Sequence, residues 1–475
     1  MQSSSQELQR LLHQYFGHTS FREGQLEIVQ AILAGKDVVA IMSTGSGKST
    51  CFQLPALVLK KTGIVISPLL SLAEDQIDDL ARRGIAARQY NSTLSQDAKQ
   101  QLCRDLLVHP VPLLYVTPES FQSADFLAFL KALHEKNQFG ALVVDEVHTV
   151  VEWGKDFRPS FLQLGIVRKT FPAVPIAVFT ATADRASRNA ICSTLGLHPV
   201  NSPKRLDVML PFDRPNITPV FVEGNADILQ DIKRWVEWYA ASHNNVLPTC
   251  IAYCDERKKC DKTAEEFSKI MPAMNPAAYH AGMSIHDRST TSMHWKSPYV
   301  ITTLSSVGAE LTREDRTHYI LFATTAFGMG INMRSVRMVF QITPPRNIYA
   351  TLQQMGRAGR DGEQAYYIFY MNFGALQKYM MFNDNDLIKA KITKERHDEI
   401  QKQLEEMRRI MKKRSSSKCR RAEMIGLLNG NEAASLCCKA PFALCDVCNP
   451  TAYAVITKTP SAKKKRTAVK KRIAK

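Results

Sequence analysis

The chain has 475 residues, 62 Lys and Arg against 45 Asp and Glu, a formal net charge of +17 and an isoelectric point near 9.3. At about 100–200 residues per domain this is room for about three folded units, and 45% hydrophobic residues supply real cores, which excludes wholesale disorder. No run approaches the ~18 consecutive apolar residues of a membrane-spanning helix, and Met1 to Arg10 is polar rather than signal-like, so a soluble, intracellular protein is expected.

The first two hundred residues repeat one unit: a short apolar run, polar and Gly/Pro punctuation, then a segment of helix length. The runs are 37–42, 63–68, 113–118, 141–145 and 175–180. Continuous Val/Ile/Leu runs alternating with helical stretches predict a parallel sheet covered on both faces. Ligands bind such sheets outside the carboxyl ends of the strands. Three runs end in suitable residues, at 43–49, 145–148 and 180–183.

The first of these ends is Met42-Ser43-Thr44-Gly45-Ser46-Gly47-Lys48-Ser49-Thr50, between a predicted strand and a predicted helix. Backbone N–H groups of a Gly-rich turn at a helix N-terminus cradle phosphates; Lys48 would reach the β and γ oxygens and Ser49 would hold Mg²⁺. Met42 stands where the strict pattern has a first glycine. About a hundred residues on, Val143-Val144-Asp145-Glu146-Val147-His148 ends the fourth run. Asp145 would coordinate Mg²⁺ and Glu146 would polarise the attacking water. The plainer account, a helix N-cap, leaves the pairing with a phosphate loop unexplained.

Residues 203–215 are Pro-punctuated and read as a linker. The strand pattern restarts at 250–254, 277–279, 319–323, 337–342 and 366–370, a second parallel α/β domain. Before its last strand lies Gln353-Gln354-Met355-Gly356-Arg357-Ala358-Gly359-Arg360-Asp361-Gly362. Two arginines three residues apart, with glycines keeping the backbone close, would reach across an interdomain cleft to a γ-phosphate. Two surface arginines on a helix would leave those glycines without a reason. From 387 to 413, Ile400, Leu404, Met407 and Met411 recur at three- and four-residue spacing, the core-facing stripe of a long helix.

Eleven cysteines without a secretory signal argue against a disulfide framework, and five of them crowd together: Cys419, Cys437, Cys438, Cys445 and Cys448. From 449 to 475 there are nine basic residues and no acid, so the tail carries nine of the seventeen excess charges and leaves +8 for the rest. Such a tail is a solvated segment, suited to nuclear import or phosphate-backbone binding.

These elements in this order resemble the superfamily-two helicases, and further details narrow the match to the RecQ family of DNA helicases. Phe16-Gly17 followed by Phe21-Arg22 and Gln25 is similar to that family's segment ahead of the phosphate loop, where the equivalents of Arg22 and Gln25 contact adenine. Residues 67–72 with Asp75-Gln76 resemble a DNA-contacting motif, and 323–331 another motif of the second domain. Trp153, Phe157 and Arg158, after His148, resemble the aromatic-rich loop that couples single-strand binding to hydrolysis. Aromatic rings beside arginine do suit unpaired bases, each stack contributing ~1–3 kcal/mol without regard to sequence; core packing under a loop is the alternative for Trp153 and Phe157. The resemblance covers residues 7–450.

The resemblance implies two RecA-like parallel-sheet domains of the P-loop NTPase type at 1–207 and 208–375, a small helical zinc-binding subdomain at 376–450 and a disordered basic tail at 451–475. It implies an ATP- and Mg²⁺-dependent DNA helicase of 3′→5′ polarity, acting in DNA repair, recombination or replication. ATP would be held by Arg22, Gln25, Thr44, Gly45, Ser46, Gly47, Lys48, Ser49 and Thr50, with Gln353, Arg357 and Arg360 completing the catalytic set. Cys419, followed by two arginines, and the Cys445–Cys448 pair resemble three zinc ligands of that subdomain, with Cys438 favoured over Cys437 as the fourth. Four thiolates bind Zn²⁺ tetrahedrally and supply folding energy a subdomain this small lacks.

Three departures stand out. The chain is longer than the family pattern near 297–318, either a loop insertion or an artefact of gene assembly. Asn332, Gln341 and Gln354 replace residues often acidic or histidine. No winged-helix or C-terminal helical module is expected after Cys448, which keeps open two alternatives: a single-strand-stimulated ATPase that remodels DNA or RNA complexes, and a tail-driven DNA-binding or annealing protein.

Overall fold

In the computed structural model, the described residues are 4–429 apart from 44, 69, 148–162, 181–184, 211–212, 224–226, 297–317, 325–332, 334, 390 and 413–418. Two all-parallel sheets account for their strands. The first contains β1 (Asp37–Ile41), β2 (Thr62–Ile66), β3 (Ala87–Tyr90), β4 (Leu113–Val116), β5 (Phe139–Val144), β6 (Ile176–Thr180) and β7 (Arg205–Met209) in the order β3-β4-β2-β5-β6-β1-β7. The second contains β8 (Ile217–Glu223), β9 (Thr249–Tyr253), β10 (Ala277–Tyr279), β11 (Ile320–Ala323), β12 (Val336–Gln341) and β13 (Ala365–Met371) in the order β10-β11-β9-β12-β13-β8.

Each predicted apolar run became a strand because its residues serve two cores at once. Along β5, Val143 joins the cluster formed with Val38, Val65 and Phe179, whereas Leu142 and Val144 join the opposite cluster with Ile64, Ile66 and Ile176. In the second sheet, Ile251 and Val339 face one cluster while Cys250, Met338 and Phe340 face the other. This alternation with both faces apolar is what a strand sandwiched between helical layers requires. No helix among the described residues is long and apolar enough to cross a membrane.

Three strands escape the apolar-run criterion, and all lie at sheet edges. β3 carries Arg88 and Gln89 between buried Ala87 and Tyr90, and β8 contains Pro219, which an edge tolerates because one side of the ladder asks for no N–H. β7 overturns the linker reading of 203–215: Arg205 to Met209 pair with Asp37 to Ile41 of β1, so the first sheet closes beyond the expected boundary at 207. The backbone ladder outweighed the polar side chains Arg205 and Asp207, which pair with each other at 2.7 Å.

β1 is pinned at the end opposite its loop. Buried Asp37 accepts from Arg168 Nη2 at 2.5 Å, from the Ile176 N–H at 3.0 Å and from the His198 N–H at 2.9 Å. Beyond the second sheet, the helices Phe373–Ile388 and Lys394–Lys412 form an antiparallel hairpin, so the expected boundary at 376 falls inside a helix. The predicted stripe is the buried face: Leu404, Met407 and Met411 pack into the second sheet's core with Ile400 alongside. A last described helix, Arg420–Asn429, returns Met424 to that core.

Candidate active site at the phosphate loop

The loop after β1 turns into the helix Lys48–Leu59 through two glycines in left-handed conformation, Gly45 (φ +83°) and Gly47 (φ +86°). A Cβ on Gly47 would lie 2.4 Å from Gln25 Nε2, so side-chain hydrogen is required there for space as well as for φ. The free N–H groups of a helix's first turn point at whatever occupies the loop. Ser46, Ser49 and Thr50 flank it, with Ser46 Oγ donating to the Ser43 carbonyl at 2.7 Å; Thr44 lies outside the described residues.

Lys48, buried at 8% exposure, donates from Nζ to the Met42 carbonyl at 3.2 Å and sits 3.9 Å from Glu146 Oε1. The two carboxylates arrive at the end of β5, one strand away from β1 across β6. Asp145 is buried and is pushed up to about 7 by burial and then by Glu146, against the pull of Lys48 and of the amide of Gln76, whose Nε2 donates to Asp145 Oδ2 at 3.3 Å. Gln76 is itself oriented by Tyr115, whose hydroxyl donates to Gln76 Oε1 at 2.9 Å. Glu146 has a φ of +49°, a costly conformation for a residue with a side chain and one concentrated at functional sites.

This donor set fits Mg²⁺. A hard cation takes oxygen ligands, and a buried carboxylate held next to a second one is the group such a cation keeps ionised; Ser49, in the first turn of the helix after the loop, would add a hydroxyl. The loop is braced by the segment ahead of β1. Arg22 Nη1 donates to the Gly45 carbonyl at 2.6 Å, and Gln25, whose Oε1 accepts from the Arg22 N–H at 2.9 Å, donates to the Ser46 and Gly47 carbonyls at 3.0 and 3.2 Å.

Of the groups predicted on the second sheet, Arg360 reaches the same loop. Gln353 is half-buried in the last turn of the helix Ile348–Met355; Arg357 is buried just after it. Arg360 lies across the phosphate loop, its Cγ 3.1 Å from the place a Cβ on Gly45 would take. Desolvation, Arg357 and Arg214 lower the Arg360 pKa, opposed by Tyr253 and Glu146. Several cations desolvated around a phosphate loop are a site for an anion.

Gly359, between the two arginines, has φ +52°, and a Cβ there would meet the Glu363 carbonyl oxygen at 2.8 Å and Asn216 Nδ2 at 2.5 Å. Gly359→Ala should therefore lower stability by ~1–3 kcal/mol and displace both arginines, read as a lower melting temperature together with lost hydrolysis. An unchanged melting temperature would contradict the packing described.

The DEAD/DEAH box helicase family matches residues 22–190 and the helicase conserved C-terminal domain family matches 231–362. An ATP-dependent DNA helicase RecQ from Pasteurella multocida is 33% identical over 443 residues, 92% of this chain and 61% of that protein. The chain belongs to the RecQ family. It spans about three fifths of the length of the first bacterial RecQ relatives, 61% and 63%. The ATP-dependent DNA helicase hus2/rqh1 of Schizosaccharomyces pombe is 31% identical over 94% of this chain and 31% of its own length. The DUF1998 helicase MrfA bound to DNA and AMPPNP shares the fold, with a TM-score of 0.59 at 17% identity, covering 80% of this chain and 52% of that one.

Within this RecQ chain, several predicted residues lie outside the described ones: His148, Trp153, Phe157 and Arg158 of the aromatic loop, Asn332, and Cys437, Cys438, Cys445 and Cys448. Cys419 is described and buried, with Sγ accepting the Ala422 N–H at 3.5 Å. Among the described residues no group of three or more His, Cys, Asp or Glu is placed to hold a metal. Gln341 is a core residue, its Nε2 donating to the Thr343 carbonyl at 2.6 Å and its Oε1 accepting from the Tyr367 hydroxyl at 3.3 Å. Gln76, in the motif that resembles a DNA-contacting one, touches Asp145. Sequence reasoning missed Arg214 and Asn216, both on Gly359; the only signal was an Asp-Arg-Pro-Asn string that runs across the end of what read as a linker.

Proposed function

We propose that this chain is an ATP- and Mg²⁺-dependent DNA helicase that moves 3′→5′ along one strand, in DNA repair, recombination or replication. The observation that carries the reading is the meeting of two sets of groups over one loop: Lys48, Asp145 and Glu146 from the first sheet, Arg360 from the second. The RecQ relatives, ATP-dependent DNA helicases by name, support the DNA-helicase part, and the family supports the polarity.

ATP would lie with its phosphates on the loop, Lys48 against the β and γ oxygens. Mg²⁺, held by Ser49 and Asp145, would neutralise phosphate charge there. Glu146, behind Lys48, would take a proton from the attacking water. Arg360, with Arg357, would stabilise charge spreading over the γ-phosphoryl oxygens in the transition state. Because these arginines belong to the second sheet, loss of the γ-phosphate would loosen one sheet from the other. Alternating closure and release is how hydrolysis would become a step along DNA. His148, Trp153, Phe157 and Arg158, following Glu146 directly, would report base stacking to the acid pair.

Cys419, with Cys438, Cys445 and Cys448, would hold a structural Zn²⁺; the buried, N–H-bonded Cys419 thiol is consistent with a first ligand. The polybasic tail would add nuclear import and phosphate-backbone affinity. If it neutralised about six phosphates, DNA affinity would fall by ~10³ between 50 and 200 mM salt. Removing residues 452–475 should flatten that slope while sparing hydrolysis at saturating DNA; loss of hydrolysis would place the charge in the motor.

Strand displacement on duplexes tailed at either end, with and without ATP, tests the reading. ATP-dependent displacement from the 3′-tailed substrate alone is expected. DNA-stimulated hydrolysis without displacement would indicate a remodelling translocase instead, and annealing indifferent to ATP with no hydrolysis would indicate a DNA-binding protein.

A further inference from the structure

Asp213, Arg214, Pro215 and Asn216 join the two sheets and touch three parts of the chain at once. Asp213 is held by the guanidinium of Arg421, at 2.7 Å from Nε and 2.6 Å from Nη2, and Arg421 also donates from Nη1 to the Ile217 carbonyl at 3.2 Å. Arg421 is almost wholly enclosed, at 1% exposure. Its neighbour Arg420 lies with Cζ 4.9 Å from the centroid of the Phe221 ring. These two arginines directly follow Cys419, so the start of the cysteine-rich segment is fastened to the joint between the sheets.

On the other side, Asn216 Nδ2 donates to the carbonyls of Gly359 and Glu363, both at 2.8 Å, and Arg214 Nη2 donates to the same Gly359 carbonyl at 2.5 Å. The second terminal nitrogen of Arg214, Nη1, lies 3.1 Å from the place a Cβ on Gly45 would occupy, the distance at which Arg360 Cγ lies from the same point. Arg214 thus reaches the phosphate loop by one nitrogen while the other is tied to the loop that bears Arg357 and Arg360. Burial, and then Arg22, disfavour its charge, with Asp361 opposing. A guanidinium fork suits this double duty, since its donors are fixed in one plane.

We propose that Arg214 is a further phosphate-contacting residue of the nucleotide site, and that the Arg421–Asp213 pair positions it, tying the cysteine-bearing segment to ATP hydrolysis. The inference rests on the nucleotide site read above. Arg214 and Arg360 leave or approach the phosphate loop together because Gly359 links them. Asp213 cannot shift without exposing Arg421 or leaving it buried without its carboxylate, which is costly. The position of the helix Arg420–Asn429 therefore sets how far Arg214 extends.

The test uses the full chain as wild type, Arg214→Ala, Arg214→Lys, Arg421→Lys and Asp213→Asn. Binding of a fluorescent ADP is measured with and without beryllium fluoride, which stands for the γ-phosphoryl group, alongside kcat and KM for DNA-stimulated ATP hydrolysis and a thermal melt. Arg214→Ala should bind ADP as wild type does but lose about 10–100-fold of the tightening that beryllium fluoride produces, the range for a hydrogen bond to a charged group. Lysine at 214 should restore part of it. Arg421→Lys and Asp213→Asn should show the same selective loss in smaller degree. Unchanged tightening and kcat in Arg214→Ala would overturn the proposal, as would losses of ADP and ADP–fluoride affinity that are equal and track the melting temperature. Wild type that binds neither species would instead bring down the nucleotide site itself, and the inference with it.

Discussion

Replacing Lys48 with alanine should abolish nucleotide-dependent activity, with hydrolysis falling by ~10³-fold or more. Lys48 is the buried cation between the Met42 carbonyl and Glu146, on a loop whose glycines leave its backbone open to phosphate. Without it, Asp145 and Glu146 face each other with one fewer opposing charge, in a site where burial already disfavours the Asp145 carboxylate. Both the ground state and the transition state lose a partner, so binding and turnover should fall together. The measurement is a thermal melt with and without ATP and Mg²⁺, beside a hydrolysis assay. Ligand binding raises the melting temperature of wild type by mass action; the Lys48→Ala melt should not move. Strand displacement surviving in this variant would refute the helicase reading.

Arg360→Ala should behave differently, and the difference locates the γ-phosphate. Arg360 comes from the second sheet, and only its closure over Gly45 brings it to the loop. A residue that meets charge developing in the transition state is worth ~10³–10⁵ in rate and much less in ground-state binding. We expect kcat to fall by ~10³ while ATP affinity changes by less than about tenfold. Arg360→Lys should recover little, because a point charge does not reproduce the planar fork. Equal losses in kcat and in affinity would mean that Arg360 merely holds ATP, and the catalytic role would pass to Arg357 or Arg214.

Much of this architecture is legible in the sequence because its central strands must be apolar on both faces. Runs such as 141–145 and 250–254 have no other stable use in a chain of this composition. The catalytic groups are legible for a related reason. Phosphate chemistry demands glycines, a lysine, a hydroxyl and paired acids at the ends of such strands, so Lys48, Ser49, Asp145 and Glu146 announce themselves by position. The hairpin stripe of Leu404, Met407 and Met411 is legible by its period alone.

What escaped lies where backbone geometry or chain-distant contact decides. β3, β7 and β8 are edge strands, where half the ladder faces outward and side chains such as Arg88, Asp207 and Pro219 are tolerated. No periodicity marks them. The left-handed backbone of Glu146 and the crowding that forbids a side chain at Gly359 depend on neighbours far along the chain. The joint at 213–216 is the clearest instance. As sequence, Asp-Arg-Pro-Asn is turn-forming punctuation, because proline and asparagine say only how the backbone bends. Folded, it carries Arg214 to Gly45 and Gly359, and Asp213 to an arginine about two hundred residues away. The sequence by itself therefore determined which chemistry this protein has, since local pattern dictates strands and phosphate loops. Only the tertiary structure decided which charges share the loop, because that depends on the closure of one sheet on another, a distance no local pattern contains.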